Sequence, residues 1–342
     1  MGIKGLNTLL KNKTQNAIVE TTLSEFKNCN IAIDLSIYAY RFLYNNGNIY
    51  YKFLQQVSIL LQNKITPIYV FDGKPPEQKK EVLDNRKNIR NKKIETKEKI
   101  IQDLKNPNLS DIEFFELQEK KNKIEKSLIY ITPEIINNLK IMFDLLGINY
   151  IQANGEADTV CCQLFKDGIT DGSMSEDFDL LPRGSGILIK NFNLLNNNIT
   201  KYNLDSVLND LKLTEQEFID LSILCGCDYT SRITGIGPVN ALKLIKKYKN
   251  IETIINEYCK NKKNIFISED FDYIKARNMM NVPENEFSDF CVKRNLSKNT
   301  IKYVSEWLYK KTSINKKILN NHLKYITFLP VNKSKTIEQY FS

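Results

Sequence analysis

Histidine is almost absent from this chain of 342 residues, since it occurs only at position 322. This absence argues against a histidine general base and against a Ser–His nucleophile system. Long apolar runs are also missing, and without about 18 consecutive apolar residues the sequence predicts no membrane-spanning helix. The opening Met1-Gly2-Ile3-Lys4-Gly5-Leu6 lacks the apolar core of a secretory signal. We therefore expect no membrane partner.

Metal-binding cysteine motifs are missing as well, although the chain has seven cysteines. Neither Cys161-Cys162 nor Cys225-Gly226-Cys227 has the two-residue gap of a zinc knuckle. The odd number favours reduced, mostly buried thiols in an intracellular protein. We expect a nuclear location if the source is a eukaryotic cell, and a cytoplasmic replication site if it is a virus.

Positive charge is in excess, with a formal net charge of +9. The basic residues cluster in four segments, 79–99, 120–126, 243–249 and 310–317. Any one cluster alone is typical of a solvated helix face. Together they favour a protein that holds a polyanion.

Acidic residues recur in short groups beside apolar, strand-like runs. The stretches are Ile31-Ala32-Ile33-Asp34, Ile68-Tyr69-Val70-Phe71-Asp72, Gly155-Glu156-Ala157-Asp158, Glu176-Asp177-Phe178-Asp179 and Cys225-Gly226-Cys227-Asp228. A carboxylate at the end of a strand lies in the crevice where open α/β sheets bind ligands. A single acidic pair is usually a solvated turn, but five such groups predict a shared site.

Carboxylates that converge in this way repel one another unless cations neutralise them. Oxygen-rich sites select hard ions such as Mg²⁺, and Mn²⁺ can substitute. Two such ions roughly 3.5–4 Å apart suit phosphodiester cleavage. The sequence therefore predicts a metal-dependent nuclease.

The order of periodic segments predicts an α/β fold with a central, mainly parallel sheet flanked by helices. We expect strands near 29–34, 68–71, 149–151, 170–174 and 187–189, and helices near 37–43, 52–62, 134–146, 156–166 and 214–224. Between the two α/β halves, residues 77–130 are highly charged and read as a helical insertion.

A glycine-rich turn, Thr234-Gly235-Ile236-Gly237-Pro238, lies between two predicted helices. Its amides could bind phosphate at a helix N-terminus, and Lys243, Lys246 and Lys247 follow on the second helix. The alternative is a plain connector without DNA. The lysines favour sequence-independent binding to a nucleic-acid backbone.

Taken in order, these motifs resemble the flap endonuclease family of structure-specific 5′ nucleases. The resemblance rests on Met1-Gly2-Ile3-Lys4-Gly5-Leu6, Val70-Phe71-Asp72-Gly73-Lys74-Pro75-Pro76, Glu156-Ala157-Asp158, Glu176-Asp177-Phe178-Asp179, Gly226-Cys227-Asp228-Tyr229 and Gly235-Ile236-Gly237-Pro238. The resemblance extends from residue 1 to about residue 250, and a weaker similarity is present at 287–309. It implies a helical arch at about 77–130 and a helix–two-turn–helix element at about 214–250.

The resemblance also implies roles for individual residues. Asp34, Asp72, Glu156 and Asp158 would hold a first metal ion, and Asp158 would be shared with a second held by Asp177, Asp179 and Asp228. Lys79 and Arg86, seven residues apart at the base of the arch, would face the scissile phosphate and offset charge in the transition state.

Further positions would contact DNA or a partner. Tyr40 would stack on an unpaired base, although core packing is the alternative, and Gly2 would place its amine near the substrate backbone. The last residues, Thr336 to Phe341, resemble a peptide that docks on a sliding clamp through Ile337, Tyr340 and Phe341, but Ser334 stands where that peptide has glutamine.

We thus expect a monomer with one nuclease domain, residues 1–330, and a flexible tail, 331–342. Within the domain lie an N-terminal part (1–95), the arch, an internal nuclease part (131–228), the helix–two-turn–helix element and a C-terminal helical part (251–330). The expected substrate is branched DNA with a 5′ flap. The alternatives are an exonuclease, junction resolvase or RNA-directed nuclease on the same scaffold, or a non-catalytic protein that binds branched DNA.

Overall fold

The computed structural model describes residues 2–45, 47–76, 79–262, 264–282, 287–291 and 298–326. Eight strands form one sheet. They are β1 (Ile18–Thr22), β2 (Asn30–Asp34), β3 (Thr66–Phe71), β4 (Asn149–Ala153), β5 (Gly172–Met174), β6 (Ile187–Lys190), β7 (Asn198–Asn203) and β8 (Phe287–Cys291).

The strand order is β1-β7-β6-β5-β2-β3-β4-β8. The five central strands, β6 to β4 in this order, all pair in parallel. β7, β1 and β8 pair antiparallel at the two sides. The predicted α/β fold with a mainly parallel sheet is therefore confirmed, and the carboxyl ends of β5, β2 and β3 lie side by side.

Fourteen α-helices are present among the described residues. They are α1 (Leu6–Lys13), α2 (Leu35–Tyr44), α3 (Ile49–Gln62), α4 (Lys80–Asp103), α5 (Asp111–Ser127), α6 (Pro133–Leu146), α7 (Ala157–Lys166), α8 (Leu204–Leu211), α9 (Glu215–Cys225), α10 (Pro238–Tyr248), α11 (Ile251–Thr253), α12 (Tyr273–Met280), α13 (Lys298–Thr312) and α14 (Lys316–Ile326).

Helices cover both faces of the sheet. Alternate residues of the central strands point to opposite faces and join the core on that side. Ala32 and Val70 join a core shared with α1, α7, α9 and α10, whereas Ile33 and Tyr69 join one shared with α2, α3, α6, α13 and α14. This double burial explains why β2 and β3 are nearly continuous apolar runs.

The charged insertion forms two helices, α4 and α5, which contact one another at the Lys97–Glu125 ion pair (3.0 Å). A capping box between Ser110 and Glu113 begins α5. No described side chain of α5 is buried. The insertion therefore projects from the body of the protein, with α4 beginning next to the carboxyl edge of the sheet.

Helices α9 and α10 enclose the glycine-rich turn, as predicted. Arg277 of α12 connects α9 to α11, because it contacts Asp220 of α9 at 2.6 Å and Glu252 of α11 at 2.5 Å. His322 lies in α14 and contacts Ser58 of α3 at 3.3 Å.

The six cysteines with described side chains are all free thiols. No described helix is long and apolar enough to cross a membrane.

Candidate active site

Three adjacent strands bring predicted carboxylates to the same edge of the sheet. Asp34 ends β2, Asp72 follows β3, and Asp177 and Asp179 lie in the loop after β5. Asp34 accepts hydrogen bonds from the Ile37 amide (3.3 Å) and the Ser175 hydroxyl (2.9 Å). The sheet topology thus assembles the crevice that the strand ends predicted.

The loop after β5 is anchored through its central phenylalanine. Phe178 is buried, with its ring 5.1 Å from the ring of Tyr202 and 4.1 Å from Lys190 Nζ. Lys190 also donates a hydrogen bond to the Glu176 carbonyl. Within the loop, the Asp179 amide donates to Asp177 Oδ1 at 3.1 Å. The anchored ring therefore fixes the two aspartates that flank it.

Glu156 and Asp158 come from a helix start, in agreement with the helix predicted near 156–166. Glu156 is the N-cap residue of α7, and Asp158 lies in the first turn. Asp72 Oδ1 accepts a hydrogen bond from the Ala157 amide at 2.8 Å. Asp228 likewise follows a helix, α9, by three residues. Two of the five acidic groups are thus placed by helices.

Burial and mutual repulsion raise the pKa of several of these carboxyls. Burial, together with the Asp72 carboxylate, raises the pKa of Asp34 to about 7. Burial and Asp177 raise the pKa of Asp179 to about 7. The pKa of Asp158 is raised well above its usual range by burial and by Asp34 and Asp177. Glu156 also contributes to the raised pKa of Asp158, and Asp228 contributes to that of Asp179, so the seven predicted ligands form one electrostatic cluster.

The cluster fits the chemistry of hard divalent cations. Asp158 Oδ1 and Asp179 Oδ1 are buried, and neither has a hydrogen-bond partner. Among the described residues, however, no three His, Cys, Asp or Glu side chains are close enough to enclose an ion by themselves. Mg²⁺ is compatible with this spacing, because it usually keeps several waters and takes one or two carboxylates at a site.

Lys79 and Arg86 both reach this cluster from the base of the insertion. Lys79 Nζ forms an ion pair with Glu156 Oε1 and lies 4.9 Å from the Tyr229 ring centroid. Arg86 Nη2 lies 3.0 Å from Asp228 Oδ2. Lys79 is the N-cap residue of α4 and precedes the helix. Both cations therefore contact predicted metal ligands.

Gly2 lies directly against the carboxylates. It has a positive φ of 95°, and a Cβ at this position would be 2.0 Å from Asp177 Oδ1. Only glycine fits here. The Lys4 amide, which donates to the Gly226 carbonyl at 3.0 Å, holds this segment in place. The structure thus places Gly2 at the site.

The glycine-rich turn and its lysines lie on the surface. Gly235 has a φ of 88°, and Gly237 is the N-cap residue of α10, where an added Cβ would have no atom within 4 Å. Lys243, Lys246 and Lys247 are all exposed on α10. Pro238, which begins α10, contacts the N-terminal segment, since a Cβ on Gly5 would be 2.7 Å from it.

Tyr40 is 48% exposed, so the alternative that it packs in the core is wrong. Its ring lines a cavity of about 400 Å³ with Tyr44, Arg41 and Lys126, between α2 and the end of α5. An exposed aromatic ring beside cations suits an unpaired base. The predicted clamp-binding residues Ile337, Tyr340 and Phe341 lie outside the described residues.

Arg183 is a residue of the site that the sequence did not indicate. It is 1% exposed and donates hydrogen bonds to Glu156 (2.9 Å), Thr159 and Tyr229. A single arginine in Leu180-Leu181-Pro182-Arg183-Gly184 carries no sequence signal for such a role. Only the fold, which brings Tyr229 next to it, reveals the contact.

The raised pKa values predict an unusual pH dependence of stability. Asp34 and Asp179 have folded pKa values of about 7, above the ~3.9 of an exposed aspartate. The metal-free folded state therefore holds more protons than the unfolded state between these values, and its stability falls as the pH rises through this window. We expect Asp179→Asn to raise the Tm in EDTA at pH 7.5 by at least roughly 2 °C.

The measurement is thermal unfolding of both proteins from pH 5.5 to 7.5, and the difference between them cancels the contribution of His322. The Asn variant should show the shallower fall. Parallel curves would mean that Asp179 is not part of a repulsive cluster.

Comparisons with known proteins identify the family of this chain. Residues 1–93 match the XPG N-terminal domain, and residues 147–228 match the XPG I-region. The chain is 35% identical to flap endonuclease 1 of Cryptosporidium muris (strain RN66), over 99% of this chain and 74% of that protein. It is 33% identical to flap endonuclease 1 of Entamoeba histolytica, over 85% of this chain and 78% of that protein.

Solved structures share the fold. The catalytic core of Rad2 in complex with DNA substrate has a TM-score of 0.69 at 19% identity, covering 95% of this chain and all of that one. Flap endonuclease-1 from Methanococcus jannaschii has a TM-score of 0.64 at 22% identity, covering 93% and 98%. The sequence matches, which extend over the carboxylate crevice and the arch base, show that this chain belongs to the flap endonuclease family of XPG nucleases.

Proposed function

We propose that this protein is a structure-specific 5′ flap endonuclease that hydrolyses DNA phosphodiester bonds near junctions of single and double strands. One observation carries the proposal. Carboxylates from five separate segments converge in one crevice, and two cations from the base of the arch, Lys79 and Arg86, contact two of them. The same site could also remove nucleotides as a 5′–3′ exonuclease. Both activities suit DNA replication and repair.

Two Mg²⁺ ions are the proposed cofactors, and Mn²⁺ can substitute. Asp34, Asp72, Glu156 and Asp158 would hold the first, and Asp158 would be shared with a second held by Asp177, Asp179 and Asp228. When bound, Mg²⁺ supplies Lewis acidity and lowers the pKa of water. The buried oxygens of Asp158 and Asp179 that lack partners support this assignment.

The arch base provides positive charge for the phosphate. Lys79 and Arg86 are 17% and 49% exposed, so both can exchange their carboxylate partners for a phosphate oxygen. Two cations at the reacting phosphate would offset the charge that develops in the transition state. Their proposed role is therefore to stabilise and position the reacting phosphate.

The remaining predicted contacts would hold the branched substrate. Exposed Lys243, Lys246 and Lys247 on α10, with the N-terminus of that helix, suit the phosphates of a duplex. Tyr40 suits an unpaired base, and Gly2 lies where the strand would cross the carboxylates. We propose that the protein acts as a monomer on DNA with a 5′ flap.

The direct test uses purified protein, Mg²⁺ and a labelled double-flap DNA, with EDTA as the control. We expect a single main incision near the junction that requires the metal. Product lengths on blunt duplex, gapped and four-way DNA, and on the RNA equivalents, separate the alternatives. Symmetrical cuts in a four-way junction would indicate a resolvase, and binding without cleavage would indicate a non-catalytic protein.

The tail residues Ile337, Tyr340 and Phe341 are proposed to bind a sliding clamp. An Ile, a Tyr and a Phe could contribute roughly 1.5–3 kcal/mol each before ordering costs. Because Ser334 replaces the glutamine anchor, we expect micromolar affinity. Deleting 334–342 should abolish stimulation by the cognate clamp and leave cleavage of free flap DNA unchanged. Equal stimulation of both proteins would exclude this role.

The compartment follows from the source. We propose an intracellular location, nuclear in a eukaryotic cell and at the cytoplasmic replication site for a virus.

A further inference from the structure

The side chain of Arg183 is the largest among the fully buried residues of the described chain. A buried charge is costly unless it is paired and hydrogen-bonded. Among the described residues, Arg183 forms one ion pair, with Glu156, at 2.9 Å between Nη2 and Oε2. The burial of a charged guanidinium in contact with Glu156, a predicted metal ligand, therefore suggests a role for Arg183 at the site.

Three neighbours fix the guanidinium. Nη1 donates to the Thr159 hydroxyl, and Nη2 donates to Tyr229 as well as to Glu156. The Tyr229 hydroxyl in turn donates to Glu156 Oε2 at 3.0 Å. Glu156, Arg183 and Tyr229 therefore form a closed triangle of hydrogen bonds, which joins α7 to the loop that carries Asp228.

Glu156 has a different cation on each carboxylate oxygen. Lys79 contacts Oε1, and Arg183 contacts Oε2. The pKa of Glu156 is lowered although burial would raise it, because Arg183 and then Lys79 favour the charged form. Lys79 is partly exposed, whereas Arg183 is enclosed. Only Lys79 can therefore move to a substrate phosphate, and Arg183 must stay.

We propose that Arg183 is a positioning residue that keeps the Glu156 carboxylate directed into the crevice after Lys79 has moved to the scissile phosphate. The proposal rests on the proposed function, because it gives Glu156 the role of a metal ligand. Groups that orient a metal ligand typically change metal affinity or activity by about 10–100-fold when they are removed.

Two effects of Arg183 oppose one another, and they distinguish positioning from simple neutralisation. As a positive charge near the ions, Arg183 repels Mg²⁺, so its loss alone would strengthen metal binding. As the group that fixes Glu156, Arg183 favours the binding of Mg²⁺, so the loss of Arg183 would weaken metal binding. A guanidinium with three directed contacts suits the second role, because lysine, a point charge, cannot reproduce its planar donors.

The experiment compares Arg183→Met and Arg183→Lys with wild type in three measurements. The first is the Mg²⁺ concentration for half-maximal thermal stabilisation of the protein bound to a non-cleavable flap DNA, whose phosphate engages Lys79. The second is the Kd for flap DNA in EDTA, and the third is the single-turnover rate as a function of Mg²⁺. Arg277→Met is the matched control, because Arg277 likewise pairs with carboxylates, those of Asp220 and Glu252, but neither of these is a predicted metal ligand.

We expect Arg183→Met to raise the Mg²⁺ midpoint by about tenfold or more, with the Kd for DNA changed by less than about threefold. Arg183→Lys should keep most of the defect. Arg277→Met should lower the Tm and leave the Mg²⁺ midpoint unchanged. Tyr229→Phe, which keeps the Arg183–Glu156 bond, should show a smaller shift than Arg183→Met and serves if the arginine variants do not fold.

A lower or unchanged Mg²⁺ midpoint in Arg183→Met would overturn the proposal. If the arginine variants could not be purified, an unchanged Mg²⁺ midpoint in Tyr229→Phe would overturn the proposal. Wild-type protein that fails to cleave flap DNA in Mg²⁺ would instead contradict the proposed function, so the two failures are distinguishable.

Discussion

Asp179→Ala is expected to abolish cleavage of flap DNA while the Kd for that DNA stays within a few-fold of wild type. Asp179 is 3% exposed, and its Oδ1 has no hydrogen-bond partner, which suits an oxygen reserved for a cation. Its loss removes a ligand and not a DNA-binding cation. Because a catalytic metal supplies several kcal/mol, the single-turnover rate should fall by at least about a thousandfold.

Asp177→Ala should behave in the same way, because the two residues flank the buried Phe178 in one loop. Asp167→Ala, which removes an exposed carboxylate at the end of α7, is the matched control and should cleave normally. Rates are measured under single turnover, and affinity is measured separately in EDTA. Wild-type turnover in excess EDTA, or substantial activity of Asp179→Ala, would be incompatible with the metal mechanism.

Lys79→Ala and Arg86→Ala should each lower the single-turnover rate by about two orders of magnitude or more, the scale on which lost transition-state donors act. Both cations contact carboxylates of the crevice, so each lies where a phosphate oxygen would bind. The Kd for flap DNA should change little in comparison. The measurement is the rate at saturating enzyme, together with the dependence of the Kd on salt.

Lys87→Ala is the control for this pair, because Lys87 is exposed on α4 next to Arg86. It should weaken binding and reduce the salt slope by about one, with the rate at saturation unchanged. If Arg86→Ala gave the result expected for Lys87→Ala, Arg86 would be an ordinary phosphate contact.

The sequence predicted the central sheet well, because its strands are buried on both faces. The strands predicted at 29–34 and 68–71 correspond to β2 and β3, within two residues at each end. In contrast, β1 and β7 were not predicted. Their sequences, Ile18-Val19-Glu20-Thr21-Thr22 and Asn198-Ile199-Thr200-Lys201-Tyr202-Asn203, are short and largely polar. They form strands because they pair with each other at the side of the sheet.

The acidic residues of the site could be found because each belongs to a local motif. Arg183 could not, because its role depends on Tyr229, which is 46 positions further along the chain. The same limit applies to Ser175 and Lys190, which support Asp34 and the Phe178 loop through contacts between distant segments. Residues that support the predicted ligands are identified by their contacts with distant parts of the chain, and these contacts exist only in the folded protein.

The ion pairs Lys79–Glu156 and Arg86–Asp228 predict that the binding of substrate and the binding of metal ions favour one another. In the DNA-free protein, each pair occupies a carboxylate that would bind a metal ion and a cation that would bind a phosphate. A phosphate that takes the cations frees the carboxylates, so flap DNA should raise the affinity for Mg²⁺. By thermodynamic reciprocity, Mg²⁺ should raise the affinity for DNA by the same factor. The hydrolytic centre would then be complete only when a substrate phosphate is correctly placed against the arch base.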